Sequence, residues 1–253
     1  MTNNFQIGTA EYYERLYEVE EDHWWYKGIH ETAARILDTH YRGANGLQIL
    51  DAGCGTGFTL KWLEQYSQPM KAVGIDLSSE AFRFCRRRGR DLLSQCSVMK
   101  LPFGNNSFDL IFCKAVIQHL PRNGSDTAAL TEFHRVLKPG GCLFLITNSK
   151  LYNLDEIREK IERTGFQILK LTYSNVLGLM ISRLKNRGDR ESQGVSLPHR
   201  QRLPLKWLNT ILCFVMKGEA WFLSKPSRSL KFGNSILALS QRLECQSAQQ
   251  LSN

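Results

Sequence analysis

The sequence predicts a doubly wound α/β fold: a mostly parallel sheet of seven strands, helices on both faces, and a helical insertion before the last strand. Three observations predict it. Short apolar runs alternate with segments of helical spacing along most of the chain; the first two runs each end in an aspartate, Asp51 and Asp76; and a glycine-rich turn follows the first of them. Repeated strand–helix units demand parallel pairing with crossover helices covering both faces. At 253 residues the chain suffices for one such core with an elaboration, and is short for two independent domains.

The elements follow in order. Residues 11–37 read as helical, acidic at the start and crowded with Tyr12, Tyr13, Tyr17, Trp24, Trp25 and Tyr26. Residues 47–50 form an apolar run before the glycine turn, and residues 58–66 have helical spacing. A second run, 72–75, precedes Asp76, after which Ser78 or Ser79 can cap a helix reaching Arg88. A short strand is expected at 94–98 and a strong one at 108–115, separated by the turn Gly104-Asn105-Asn106. A helix at 125–137 is stopped by Pro139-Gly140-Gly141, a strand follows at 142–147, a helix at 153–164 is closed by Gly165, and 166–173 alternates as a strand. Beyond Gly178 the rhythm breaks into a basic helical piece, a polar loop at 187–204 and a long apolar helix, before a last strand at 235–243. The chain thus divides into a helical and aromatic cap at 1–45, a core formed by 46–177 and 233–245, and a basic insertion at 178–232.

Charge is distributed unevenly. The insertion carries eleven Lys or Arg against three Asp or Glu, and so holds most of the chain's net charge of +9. The rest is near balance, as a core that binds small molecules would be. Seven cysteines are scattered without a CxxC pair, which argues for free thiols and against a metal or redox centre. The amino terminus lacks a basic start followed by an apolar run, so a cytoplasmic location is expected. No apolar run approaches the roughly 20 residues of a bilayer span, since the best one, 205–223, contains Lys206, Lys217 and Glu219. Its apolar stripe is expected to be buried.

The chemistry concentrates in Asp51-Ala52-Gly53-Cys54-Gly55-Thr56-Gly57, between a strand and a helix. Glycines there allow a tight turn and close backbone approach to a ligand, with helix N–H groups aimed into the same space. Dinucleotide-binding proteins use a related turn, but with GxGxxG spacing; here the spacing is GxGxG. A carboxylate at Asp76, ending the next strand, can accept hydrogen bonds from both hydroxyls of a ribose; its plain alternative is a helix cap, which the serines could supply instead.

Four blocks then agree in order and spacing: residues 49–57, Val73-Gly74-Ile75-Asp76-Leu77-Ser78, Leu101-Pro102-Phe103 with Ser107-Phe108-Asp109, and Arg135-Val136-Leu137-Lys138-Pro139-Gly140-Gly141. Over residues 45–173 the chain resembles class I S-adenosylmethionine-dependent methyltransferases, and is most similar to the bacterial type 11 and type 12 groups. Asp22-His23-Trp24-Trp25-Tyr26, Leu208-Asn209, Glu219 and Phe232-Gly233-Asn234-Ser235 extend the likeness to both ends. The resemblance implies a Rossmann-like fold and S-adenosylmethionine as cofactor, with S-adenosylhomocysteine as product. It implies that Gly53, Cys54, Gly55 and Gly57 line the methionine moiety, Asp51 positions the turn, Asp76 and Leu77 lie at the ribose, and Ser97, Val98 and Met99 flank adenine. Lys114, Ala115 and the following segment to His119 would lie beneath the sulfonium, with Trp25 and Tyr26 covering the cofactor.

The sequence departs from that pattern in three places. Ser97 stands where relatives commonly have an acid, Lys27-Gly28-Ile29-His30 where they often have Arg, and Thr147 to Tyr152 is shorter than their acceptor loop. The acceptor therefore cannot be transferred from relatives. Trp24, His119, Tyr152 and Arg200 are the candidate acceptor contacts. His119 is also the candidate catalytic base if a nitrogen or oxygen is methylated, or else a histidine that only packs near the cofactor. Because adjacent helical residues point apart, not all of Trp24, Trp25 and Tyr26 are expected to face the site. The insertion reads as a lid or homodimer element, as a recruiter of an anionic acceptor, or as a contact to nucleic acid or an anionic membrane. Without an RNA-binding module, RNA methylation ranks behind a small-molecule acceptor. A non-catalytic cofactor-binding protein and a nicotinamide-dependent oxidoreductase remain as alternatives, the latter leaving the last two blocks unexplained.

Overall fold

The computed structural model describes residues 7–68, 72–186 and 204–243. It opens with two helices, α1 (Ala10–Val19) and α2 (Trp24–Tyr41), across the stretch that reads as helical. The interruption is built by caps. Thr9 accepts from the Tyr12 N–H at the start of α1, and the His23 ring accepts from the Trp25 N–H at 3.2 Å at the start of α2. Histidine is not among the usual capping side chains, so the sequence pattern ran straight through the break.

The predicted alternation then follows as β1 (Ile49–Ala52), α3 (Phe58–Ser67), β2 (Val73–Asp76), α4 (Ser79–Arg87), β3 (Leu93–Gln95) and β4 (Phe108–Lys114). A 3-10 turn at Ile117–His119 leads to α5 (Ser125–Val136), β5 (Leu137–Asn148), α6 (Leu154–Arg163), β6 (Phe166–Ser174), α7 (Val176–Asn186), α8 (Lys206–Leu223) and β7 (Ser235–Arg242). Two strands differ from expectation. β3 is shorter and earlier, leaving Ser97 and Val98 in the loop beyond it, and β5 starts before Pro139, with a register shift against β4 between Phe108 and Leu110.

The seven strands form one sheet in the order β3-β2-β1-β4-β5-β7-β6. The pairs β3/β2, β2/β1, β1/β4 and β4/β5 are parallel, whereas β7 runs antiparallel between β5 and β6. Alternation along the central strands divides the core in two. Ile111, Cys113, Leu143 and Leu145 face Phe133 of α5 and Ile157 of α6 on one side. Leu110, Phe112, Phe144 and Ile146 face Ala33 and Leu37 of α2, Leu63 of α3 and Leu223 of α8 on the other. A third cluster joins Tyr13 of α1 to Phe82, Phe84 and Cys85 of α4. The loops that follow β1 through β5 gather at the carboxyl edge of the sheet, the place where open α/β folds bind ligands.

Candidate active site

The three turn glycines between β1 and α3 all have positive φ, at 84° for Gly53, 52° for Gly55 and 81° for Gly57. Their roles differ. A Cβ on Gly53 would meet Val116 at 2.2 Å and one on Gly57 would meet Cys85 at 3.0 Å, so these two allow close packing of the chain on itself. A Cβ on Gly55 would make only ordinary contact with Leu16 and Tyr13, at 3.9 and 4.0 Å, so this glycine is not needed for packing of the chain on itself. The Gly55 N–H donates to Asp76 Oδ2 at 3.0 Å, which ties the glycine turn to the end of β2.

Asp76 is engaged on its other oxygen as well. Oδ1 accepts from the Ser78 N–H and from the Tyr13 hydroxyl, both at 3.0 Å. The Tyr13 phenol, buried and beside this carboxylate, has its pKa raised, so it stays a neutral donor. Tyr12 beside it is pushed up to about 12 by burial and then by Asp76.

A buried set of charges forms the floor. Glu20, at the break between α1 and α2, accepts from the Thr56 hydroxyl and pairs with Arg88 at 3.1 Å. Burial raises its pKa, opposed by Arg88. At the end of β4, Lys114 Nζ donates to Thr59 Oγ1 at 2.7 Å, and that hydroxyl lies 3.1 Å from His30 Nε2. His30, buried and stacked on Trp62, has its pKa lowered well below the ordinary value by burial and then by Lys114, which keeps its ring neutral beside that hydroxyl. Asp51 is buried in β1 with Oδ2 unpartnered, and burial raises its pKa to about 7 against the pull of Lys114. The next residue, Ala115, takes φ 59°, a conformation uncommon for a residue with a Cβ.

One cavity of about 1350 Å³ runs through this ground. Trp24, Trp25, Tyr26, Gly53, Cys54, Gly55, Asp76, Leu77, Ser97, Val98, Lys114, Ala115 and His119 all contribute to its wall. All three aromatic residues of α2 do so, contrary to the expectation from helical geometry, because they form the first turn of a helix whose end meets the cavity. Four candidates stand outside the wall among the described residues. Gly57 caps α3 against Cys85, Asp51 lies under the turn in β1, and Met99 is exposed beyond Val98. Tyr152, assigned from sequence to the acceptor, is buried instead, donating to Asp126 at 3.0 Å and thereby holding the segment under the 3-10 turn. Arg200 lies outside the described residues.

Other wall residues were not anticipated. Glu20, Tyr12, Tyr13 and Thr59 join the wall, as do Asn148, Lys150, Asn175, Leu177 and Ile181 with Leu208 and Leu212 of α8, while Gln118 falls in the segment expected beneath the sulfonium. Asn209 of α8 holds the α1–α2 break, accepting from the Trp24 N–H at 2.9 Å and donating to the Asp22 carbonyl at 2.8 Å. Glu219 accepts from the Asn175 and Val176 N–H groups and so caps α7. Both α8 residues were visible as motif positions, but which elements they join was not. His119 is exposed at the cavity rim, with its pKa lowered by partial burial. Among the described residues no group of acids, histidines or cysteines could hold a metal.

Comparison with known proteins agrees with this arrangement. Residues 50–145 match a family model described as a methyltransferase domain. The chain is 32% identical over 145 residues to a fatty-acid O-methyltransferase of Mycolicibacterium smegmatis, covering 55% of this chain and 49% of that protein. It is 34% identical over 152 residues to a demethylmenaquinone methyltransferase of Symbiobacterium thermophilum, covering 57% of each. The chain spans about half the length of the curated relatives it matches. In fold it is similar to the methyltransferase solved in complex with the Trm112 activator of Haloferax volcanii, with TM-score 0.57, 18% identity, and coverage of 93% of this chain and 94% of that one. The glycine turn, the strand order with an antiparallel β7 and the family match together show a class I S-adenosylmethionine-dependent methyltransferase domain over residues 50–145.

Proposed function

We propose that the chain transfers a methyl group from S-adenosylmethionine to a nitrogen or oxygen of a small-molecule acceptor, leaving S-adenosylhomocysteine. The observation that carries this reading is one cavity whose wall includes Gly55 and Asp76 together with His119 and the apolar residues Leu177, Ile181, Leu208 and Leu212. The residues present fit the cofactor. The Tyr26 hydroxyl and Thr147 Oγ1, both on cavity-wall residues, are buried without a partner, and a cation at Lys114 and an anion at Glu20 suit the two ends of an amino acid.

Asp76 would hold the ribose, the glycine turn with Glu20 and Lys114 the amino-acid end, and Leu77, Ser97 and Val98 the adenine side. When bound, the cofactor supplies an electrophilic methyl on a sulfonium. The chain's own contribution is positional: holding the acceptor atom in line and excluding water, which requires no covalent protein intermediate. Trp24, Trp25 and Tyr26 close the cavity on one side, and Leu177, Ile181, Leu208 and Leu212 supply an apolar wall for the acceptor. His119, kept neutral near pH 7, is the group that would take the acceptor's proton, with Asn148 and Lys150 available to orient its polar part.

Incubating the chain with a metabolite extract and isotopically labelled S-adenosylmethionine tests the proposal by reporting the acceptor and the atom modified. Labelled product in the small-molecule fraction is expected. Tight binding of S-adenosylhomocysteine without transfer to any metabolite would instead favour a non-catalytic binding protein, and label in RNA would favour a macromolecular acceptor.

A further inference from the structure

α8 has three faces, and the described contacts occupy two. Met216, Ala220 and Leu223 are buried inward, while Leu208 and Leu212 line the cavity. The third face is apolar and, among the described residues, exposed. Trp207, Ile211, Phe214 and Trp221 recur at helical spacing and so form one stripe. Trp207 is 63% and Phe214 78% exposed, and a Cβ built on Gly218, between Phe214 and Trp221 in the stripe, would find nothing within 4 Å. Met180 and Leu184 of α7 are exposed as well. Single exposed apolar residues need no explanation, but a continuous stripe marks a contact surface.

Its surroundings identify the contact. In 204–232 every exposed charged side chain is a lysine: Lys206, Lys217, Lys225 and Lys231. Lys225 Nζ lies 5.1 Å from the Trp221 ring centre and the Arg228 guanidinium 5.5 Å from it, so cations sit against the aromatic stripe itself. The one acid of the helix, Glu219, is turned inward to cap α7. A second copy docking through the same patch would bring these cations against their own equivalents. A partner that is apolar inside and anionic at its surface satisfies both features at once.

We propose that this face of α8 docks onto an anionic lipid bilayer, the helix lying in the plane of the interface. Trp207, Ile211, Phe214 and Trp221 would enter the boundary between headgroups and acyl chains, and the flanking lysines with Arg228 would meet lipid phosphates. No helix among the described residues is long and apolar enough to cross a membrane, so the contact is with the surface. Leu208 and Leu212 lie on the same helix, which brings the cavity alongside the bilayer. This inference does not depend on which acceptor is methylated, or on methyl transfer occurring at all.

Vesicle flotation of the full chain tests it, comparing phosphatidylcholine alone with an equal mixture of phosphatidylcholine and phosphatidylglycerol. Binding to the mixed vesicles, weakened by salt and lost on the neutral ones, is expected. Phe214→Glu should reduce it by about tenfold or more, since it removes a large inserted side chain and adds a like charge to the lipid's. Lys217→Glu combined with Lys225→Glu should reduce it without touching an apolar residue. Calorimetry with S-adenosylhomocysteine checks that each variant is folded and unchanged at the cavity, which none of these residues lines. Failure of the wild-type chain to float with mixed vesicles, or undiminished flotation of both variants, would overturn the proposal. So would a dimer in sedimentation that Phe214→Glu dissolves in a chain that does not bind vesicles, which would assign the stripe to a second copy.

Discussion

Tyr13→Phe should tighten cofactor binding, because Tyr13 occupies a carboxylate that the ribose needs. An ionised carboxylate offers about four lone-pair sites. Three of those on Asp76 are used by the Gly55 N–H, the Ser78 N–H and the Tyr13 hydroxyl, so two ribose hydroxyls cannot both bind until one donor leaves. The two backbone donors are fixed by the turn and by the entry to α4; the phenol on α1 is the one that can move. A hydrogen bond to a charged group contributes about 1.5–3 kcal/mol, which would correspond to roughly 10-fold or more in affinity if it were simply released. In the variant water takes the place of the phenol and must itself be displaced, so a gain of about 3- to 10-fold is expected. Titration calorimetry of wild type and variant with S-adenosylhomocysteine measures it directly. The ring remains, so packing against α4 is kept, and a thermal melt checks that the fold survives. Unchanged or weaker affinity in a folded Tyr13→Phe chain would refute the competition and make the phenol a cofactor ligand instead.

The remaining predictions address other parts of the wall. Asp76→Ala should weaken S-adenosylhomocysteine binding by roughly 10- to 100-fold in the same titration, through loss of charge-assisted hydrogen bonds. Gly55→Val should abolish binding, whereas Gly57→Ala should chiefly lower the melting temperature, because its Cβ would press on Cys85 at a positive φ rather than enter the cavity. Asp51 holds its proton more tightly in the fold, with a pKa of about 7, than in the unfolded chain, so stability is full below the ordinary aspartate range and declines as pH rises through 7. Asp51→Asn should remove up to about 3 kcal/mol of the decline between pH 5 and pH 8, as judged by denaturant melts at those two values. For the wild-type enzyme with an acceptor in hand, kcat/KM should fall with acidity only below the ordinary histidine range, because His119 titrates low; His119→Gln should lower kcat and erase that limb.

The glycine turn, the two strand-ending aspartates and the βα rhythm were legible because each is a local constraint. A positive φ at Gly53 or Gly55 and an apolar run of strand length leave their mark in neighbouring residues. Residues outside the motifs were less so. Tyr152 looked like an acceptor contact from its place after β5, yet its hydroxyl is spent on Asp126 beneath the 3-10 turn. Glu20 looked like one more acid on an amphipathic helix, and only the break before α2 turns it onto Thr56 and Arg88.

By itself the sequence determined the fold class and the ligand-binding edge of the sheet, because periodicity and turn chemistry act over a few residues. Tertiary structure alone decided which side chains from distant segments share one cavity. It set Tyr13 on Asp76, Asn209 on the α1–α2 break and Glu219 on the start of α7, contacts spanning up to 187 positions along the chain. It also decided the fate of α8. The apolar stripe expected to be buried divides into an inward face at Met216, Ala220 and Leu223 and an outward one at Trp207, Ile211, Phe214 and Trp221. Hydrophobic spacing states that a helix has an apolar face, but how much of it other elements cover depends on where the sheet and α2 end in space.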